Sequence, residues 1–292
     1  MGAPPNVPVF DDHFHLDPVH GGYQASVDEF VKAGGTHFLL VHKPDFEALS
    51  TTAEAYRAEF VRTVDMGRAV NARGDVRCFV ALCPHPAEFT RHGERLGFEG
   101  AWDLLTGAIG QCVKIAREEP LVVALSEAGR PHYAVSEEMW AFSNRLMAFE
   151  FAAAKDAGLA VQLHTESATV EVMKDLAARV EASGLSKAKV AKHYCGPLVR
   201  PDENFGLMPS VMASRPNVKE ALGKGDRFML ETDFIDDRRR PGAVMAPATV
   251  PRRTRAMLEQ GVAEERVWRI HKENPEALYG VEIGRASCRE RV

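Results

Sequence analysis

Apolar runs of strand length alternate with stretches of helical period along nearly the whole chain, a pattern best satisfied by a parallel sheet wrapped in helices. Seven runs predict strands: Val7 to Phe10, His37 to His42, Val76 to Cys83, Leu121 to Ser126, Leu159 to Leu163, Lys189 to Lys192 and Phe228 to Thr232. Leu207 to Met212 is an eighth, weakened by Pro209, which lacks the N–H that a sheet ladder needs. Phe38-Leu39-Leu40-Val41 and Leu121-Val122-Val123-Ala124-Leu125 are apolar on both faces, as strands covered on both sides require. Between the strands, residues recur at three- and four-residue intervals: Tyr56, Phe60 and Val64; Trp102, Leu105, Ile109 and Val113; Met139, Phe142, Leu146 and Phe149; Val170, Met173, Leu176 and Val180. These are core-facing helix stripes rather than cofactor boxes. Eight strand and helix units fit a single (β/α)8 TIM-type barrel, distorted around strands 6 and 7, where Pro201, Pro209 and Pro216 rule out long helices. A doubly wound open sheet is the alternative. No repeat or linker divides the chain, so residues 1–281 are read as one domain.

Composition narrows the partners. With 45% hydrophobic and 26% charged residues the chain matches an ordinary globular protein. No apolar run approaches the roughly 18 residues of a membrane span, and Met1 to Pro8 has no signal-like pattern, which points to the cytoplasm and away from membranes. A net charge of −5 provides no basic face for duplex nucleic acid. Arg238-Arg239-Arg240 and Arg252, Arg253 and Arg255 are local clusters, read as solvated faces, the first also as a candidate substrate clamp. Five cysteines without C-x-x-C spacing imply buried free thiols, and Cys195 is read as one of these rather than as a nucleophile. Residues 282–292 are set apart: Ile283 to Val292 translates a codon string that looks like a sequencing-library adapter, so this tail is expected to be non-native read-through.

The chemistry-bearing residues fall at predicted strand ends, where barrel enzymes build their sites. His13 and His15, two positions apart, share one face of a strand and can grip one cation. Chance alone yields about 0.4 such pairs from 11 histidines in 292 residues, so the pair needs partners. Glu127, His164, His193 and Asp233 supply them at four later strand ends. Four imidazoles and two carboxylates suit Zn or Mn better than Mg, although Mg remains a third option. Arg130, His132 and Tyr133, just past Glu127, are candidate substrate donors, and Lys43 and His85 are candidates for the rim.

Asp12-His13-Phe14-His15-Leu16-Asp17, Ser126-Glu127-Ala128-Gly129, Leu163-His164-Thr165, His193-Tyr194-Cys195-Gly196, Leu230-Glu231-Thr232-Asp233 and Asn274-Pro275-Glu276-Ala277-Leu278-Tyr279-Gly280 together resemble the TatD-like metal-dependent hydrolases of the amidohydrolase superfamily. The resemblance implies that His13, His15 and Asp233 hold one divalent ion, that His164 and His193 hold a second, and that Glu127 bridges them. It further implies two-metal activation of water, with Asp233 as general base, and Asp12 and Glu231 orienting the ligands. The expected reaction is hydrolysis of a phosphodiester, DNase-like, on an oligonucleotide or small molecule. An amide, lactone or phosphotriester substrate is the first alternative, and a non-catalytic metal-stabilised binding barrel the second. One departure bears on this: many members of the resembled family carry arginine two residues beyond the fifth-strand histidine, where this chain has Glu166, an acid that would repel phosphate unless turned away or paired.

Overall fold

The computed structural model describes residues 7–239 and 244–284. Its strands are β1 (Phe10–His15), β2 (His37–Val41), β3 (Arg77–Ala81), β4 (Val122–Gly129), β5 (Ala160–His164), β6 (Val190–Cys195), β7 (Met208–Met212), β8 (Met229–Glu231) and β9 (Phe234–Ile235). Helices α1 (Tyr23–Ala33), α2 (Ala53–Asn71), α3 (Pro86–Glu118), α4 (Glu137–Ala157), α5 (Val170–Ser183), α6 (Pro201–Asn204) and α7 (Arg215–Lys224) follow β1 to β7 in turn; α8 (Thr249–Glu259), α9 (Glu264–Trp268) and α10 (Asn274–Tyr279) close the chain. Side-chain oxygens of Thr52, Ser136, Thr169 and Ser214 cap the starts of α2, α4, α5 and α7 by accepting backbone N–H groups. The long α3 breaks at Gly97, whose φ of 70° suits a residue without Cβ.

All pairings are parallel and run β1 to β8 in sequence order. The eighth strand is split: β8 pairs with β7, and β9, two residues on, pairs with the far edge of the sheet at β1. The two halves thereby close a TIM-type (β/α)8 barrel. At the seam, the Asp11 carboxylate accepts the Thr232 N–H (3.0 Å) and hydroxyl (2.8 Å), joining the β1 side to the segment between β8 and β9.

The eight predicted strands all form, with shifted ends. The first moves furthest, from Val7–Phe10 to Phe10–His15. Val7 and Val9 instead pack with Val250, Val267 and Ile270, while Asp11 and Asp12 enter the strand because the interior provides them with hydrogen-bond partners. Pro209 is accommodated where the β6–β7 register shifts, and Pro201 and Pro216 occupy first helical turns, where the missing N–H costs nothing. The connection after β6 is reduced to the four-residue α6. Below the site, α10 plugs the barrel with Leu278 and Tyr279 against Phe10, Leu39, Val41 and Phe79. Of the segment set apart in the sequence, Ile283 is buried in this same layer, and residues 285–292, with Cys288, lie outside the described residues. Among the described residues no helix is long and apolar enough to cross a membrane.

On α4, Glu150 is fully buried behind the site-bearing β4, where one oxygen accepts the Gly129 N–H (2.8 Å) and the other the Cys83 thiol (3.4 Å). Burial raises its carboxyl to about 8, against which these two hydrogen bonds act only in part. A carboxyl raised in the fold contributes stability that is full below its unfolded pKa, near 4.5, and lost as pH rises through about 8. Urea unfolding of Glu150→Gln is therefore expected to show a flatter decline between pH 5 and pH 9 than the parent, with the variant relatively more stable at the alkaline end.

Candidate metal centre

Three histidines have their tautomers set by their neighbours. His13 Nδ1 donates to Gln162 Oε1 (2.7 Å), His15 Nδ1 to the Val41 carbonyl (3.1 Å), and His193 Nδ1 to Glu231 Oε1 (3.0 Å). Carbonyl oxygens only accept, and Glu231 Oε1 already accepts the Tyr194 N–H (2.7 Å), so each ring carries its proton on Nδ1 and presents a bare Nε2. The Gln162 orientation is itself fixed, since its Nε2 donates to the Asp12 carbonyl and carboxylate.

His13 Nε2 and His15 Nε2 face each other at 2.9 Å. Two bare lone pairs at that distance repel each other; a cation between them makes the contact favourable. Carboxylates surround the same point: Asp233 Oδ1 lies 3.7 Å from His13 Nε2 and 3.9 Å from His15 Nε2, and Glu127 offers Oε1 at 3.7 Å and Oε2 at 3.8 Å to the same two atoms. Ligands arranged tetrahedrally around Zn at about 2.0 Å stand roughly 3.3 Å apart, so small movements would complete a shell. His193 Nε2 is 3.6 Å from Glu127 Oε1, and the His193 ring stacks on His13 at 3.9 Å between centroids. Burial favours neutral imidazoles, the form that binds metal: His13 falls to about 3 through burial and then the neighbouring His15, while His15 also falls and His193 falls well below the ordinary range. Burial alone would raise Glu127, but the surrounding imidazoles, His85 and His164 foremost, reverse this and keep its carboxylate ionised. The donor set fits a divalent cation.

Among the described residues, the groups at this site close enough to share an ion are His13 with His15 and Glu127, His13 with His193 and Asp233, and His85 with Glu127 and His164; His20 with Asp45 and Glu47 form a further, more exposed group. His164 donates from Nδ1 to Glu127 Oε1 (2.7 Å), while its Nε2 meets His132 Nδ1 (2.7 Å), so it shares Glu127 with the others but turns its second nitrogen to the mouth. Asp233 sits at the break between β8 and β9 with φ of 51°, a left-handed conformation unusual outside glycine.

Above the donors opens a cavity of about 1100 Å³, including space open to solvent, whose lining includes Lys43, Phe46, His85, His132 and Arg239. Lys43 donates to Asp17 Oδ2 (2.5 Å) and lies 3.7 Å from Asp237; Arg239 binds Asp237 and Glu47, each at 3.0 Å. Of the arginine cluster, Arg239 thus reaches the mouth, and Arg240 lies outside the described residues. Arg130, expected among the substrate donors, is turned elsewhere. Its guanidinium is buried, doubly bonded to Glu166, bonded to Asp175 (2.7 Å) and Asn144 (2.9 Å), and lies 4.4 Å from the Trp140 ring centroid. Glu166 is accordingly paired rather than facing substrate. Tyr133 is exposed, with its hydroxyl on Thr90 Oγ1 (2.8 Å), outside the cavity lining. Cys195 is buried, which pushes its thiol up to about 12 and leaves it inert. Sequence reasoning missed Gln162, although it is the lone polar residue in the run Leu159 to Leu163.

A family model described as TatD related DNase matches residues 10–280. MJ1127, an uncharacterised protein of Methanocaldococcus jannaschii, is 38% identical over 280 residues, covering 95% of this chain and 98% of its own. Among solved structures, the TatD homologue YJJV of Escherichia coli superposes with a TM-score of 0.64 at 18% identity, covering 95% of this chain and all (100%) of that one. The phosphotriesterase homology protein of Escherichia coli, whose structure is complexed with phosphate in the active site, superposes at 0.59 with 12% identity, covering 95% of this chain and 100% of that one. The last two likenesses bear on fold alone.

Substituting Gln162→Leu removes the acceptor that fixes the His13 tautomer. Titration of metal-free protein with Zn or Mn is expected to show affinity weakened about 10- to 100-fold, with the far-ultraviolet circular dichroism of the barrel retained.

Proposed function

The chain belongs to the TatD-related DNase family, and from that premise we propose that it is a hydrolase of phosphodiesters using two divalent ions, Zn or Mn by donor type with Mg as the third option. The observation that carries this reading is the convergence of bare imidazole nitrogens and two carboxylates beneath an open cavity. His13, His15 and Asp233 would hold one ion and His164 and His193 the second, with Glu127 between them. Such ions lower the pKa of water and neutralise charge developing on phosphate.

The chain's own groups account for the remaining steps. Asp233 accepts a proton from the attacking water, and its left-handed turn between two paired strand segments fixes its approach. Glu127 Oε1 lies 2.7 Å from His164 Nδ1, the nitrogen that would give up its proton to bind the second ion. Lys43 and His132 line the cavity through which substrate would enter. Arg130 neutralises Glu166, which removes the like-charge objection to a phosphate at the mouth. Small diesters or single-stranded oligonucleotides fit this reading, whereas a membrane or duplex nucleic acid does not, and the cytoplasm is the proposed location.

Metal-free protein reconstituted with Mn or Zn is expected to hydrolyse bis(p-nitrophenyl) phosphate or a short single-stranded oligonucleotide. Asp233→Asn should lower turnover about 10²- to 10⁴-fold. Turnover of a phosphotriester, lactone or amide instead of the diesters would transfer the assignment to that substrate class. Tight metal with no turnover of any of them would favour the non-catalytic barrel.

A further inference from the structure

We propose that His85 is not a metal ligand but a fixed hydrogen-bond donor to the phosphoryl oxygen of the substrate, an inference that rests on the phosphoester reading of the site. His85 stands at the start of α3, where its Nδ1 accepts the Ala87 N–H (2.9 Å) and its own N–H is accepted by Glu88 Oε2 (2.7 Å). A peptide N–H only donates, so Nδ1 holds a lone pair and the single proton of the neutral ring sits on Nε2. This is the reverse of His13, His15 and His193, whose protons are on Nδ1.

A nitrogen that carries a proton has no lone pair for a cation. The grouping of His85 with Glu127 and His164 therefore does not make a third metal position. It places an N–H instead: His85 Nε2 is 3.5 Å from Glu127 Oε2, on the cavity wall beside the converging donors. The ring is held edge-on to Phe46 at 5.5 Å between centroids and packs against His164 at 4.5 Å, so the donor's direction is set before substrate arrives. A preorganised neutral donor of this kind stabilises charge gathering on an oxygen in the transition state without reorienting.

Substitution His85→Asn tests the assignment, because asparagine keeps a side-chain acceptor at the helix start and loses the Nε2 proton. Three quantities are read: Mn affinity and stoichiometry, the affinity of Mn-loaded protein for inorganic phosphate by calorimetry, and kcat on bis(p-nitrophenyl) phosphate. The expected result is unchanged metal binding, phosphate binding weakened about tenfold, and kcat lowered about 10²-fold. Fewer or weaker metal ions would make His85 a ligand and overturn the proposal. Unchanged phosphate affinity and kcat would reduce it to a helix cap and also overturn it. Should His85→Asn fail to fold, His85→Ser, another good and uncharged cap without the imidazole donor, is read in the same way for metal and phosphate binding. If the parent hydrolyses no diester while phosphate binding still depends on His85, the diester reading falls and the donor assignment stands.

Discussion

Two unprotonated imidazole nitrogens 2.9 Å apart on buried side chains are costly unless something positive lies between them, and much of the interior is arranged to hold them there. The arrangement rests on acceptors behind the rings. Gln162 receives the His13 proton and the Ser126 hydroxyl, and passes its own protons to Asp12 and Tyr279. Tyr279 in turn donates to Asp12 (2.7 Å) from the end of α10, so the plug of the barrel and the donor layer form one hydrogen-bonded unit. Burying this many polar groups is tolerable because their partners are inside with them. The consequence is a tautomer pattern dictated by the protein, and with it the separation of the metal-facing nitrogens from the reversed ring of His85.

The same interior explains why the ladder is irregular. Registers shift between Asp11 and Phe14 in β1, between Leu125 and Ala128 in β4, and between Lys192 and Cys195 in β6, the stretches that carry His13, Glu127 and His193. A regular strand alternates its side chains, whereas a bulge can aim adjacent residues to one side. Ser126 and Glu127 use this in β4, where Ser126 reaches Gln162 and Glu127 reaches His164. The eighth strand goes further and breaks outright at Asp233, and the Asp11 carboxylate supports the residue before the break. Left-handed φ values of 51° at Asp233 and Tyr194 mark where backbone strain of order 1–3 kcal/mol is retained beside the site.

This irregularity also sets what the sequence could reveal. Eight apolar runs were enough to recognise eight strands, and the placement of Glu127, His164, His193 and Asp233 near their ends was legible because barrel sites gather there. Strand limits were not, since hydropathy stops at Phe10 while β1 continues through Asp11 and Asp12 on the strength of distant partners, Thr232 and Tyr279. The proline signals were local and were read correctly as excluding long helices, although Pro201 and Pro216 act by beginning short helices rather than by breaking longer ones. Arg130 illustrates the harder case. Its sequence neighbour Glu127 suggested a role at the substrate, but Glu166, Asp175, Asn144 and Trp140 come from elsewhere in the chain, and only the fold brings them onto its guanidinium.

The pairing of Arg130 with Glu166 has a counterpart on the rim. Lys43 lies on Asp17 and near Asp237, and Arg239 bridges Asp237 and Glu47, so these mouth cations are already compensated by carboxylates. An incoming phosphate would have to compete with those carboxylates, at a desolvation cost that partly offsets the attraction. Its affinity would then come mainly from deeper in the site, from the proposed metal ions and from uncharged donors, which have no charge of their own to desolvate. His85 has that character, with its acceptor nitrogen occupied by a backbone N–H and its remaining proton at the cavity wall. Neutral donors below and self-paired charges above would let the site bind one phosphoryl group at its floor with little net positive charge at its rim, in keeping with the acidic net charge of −5.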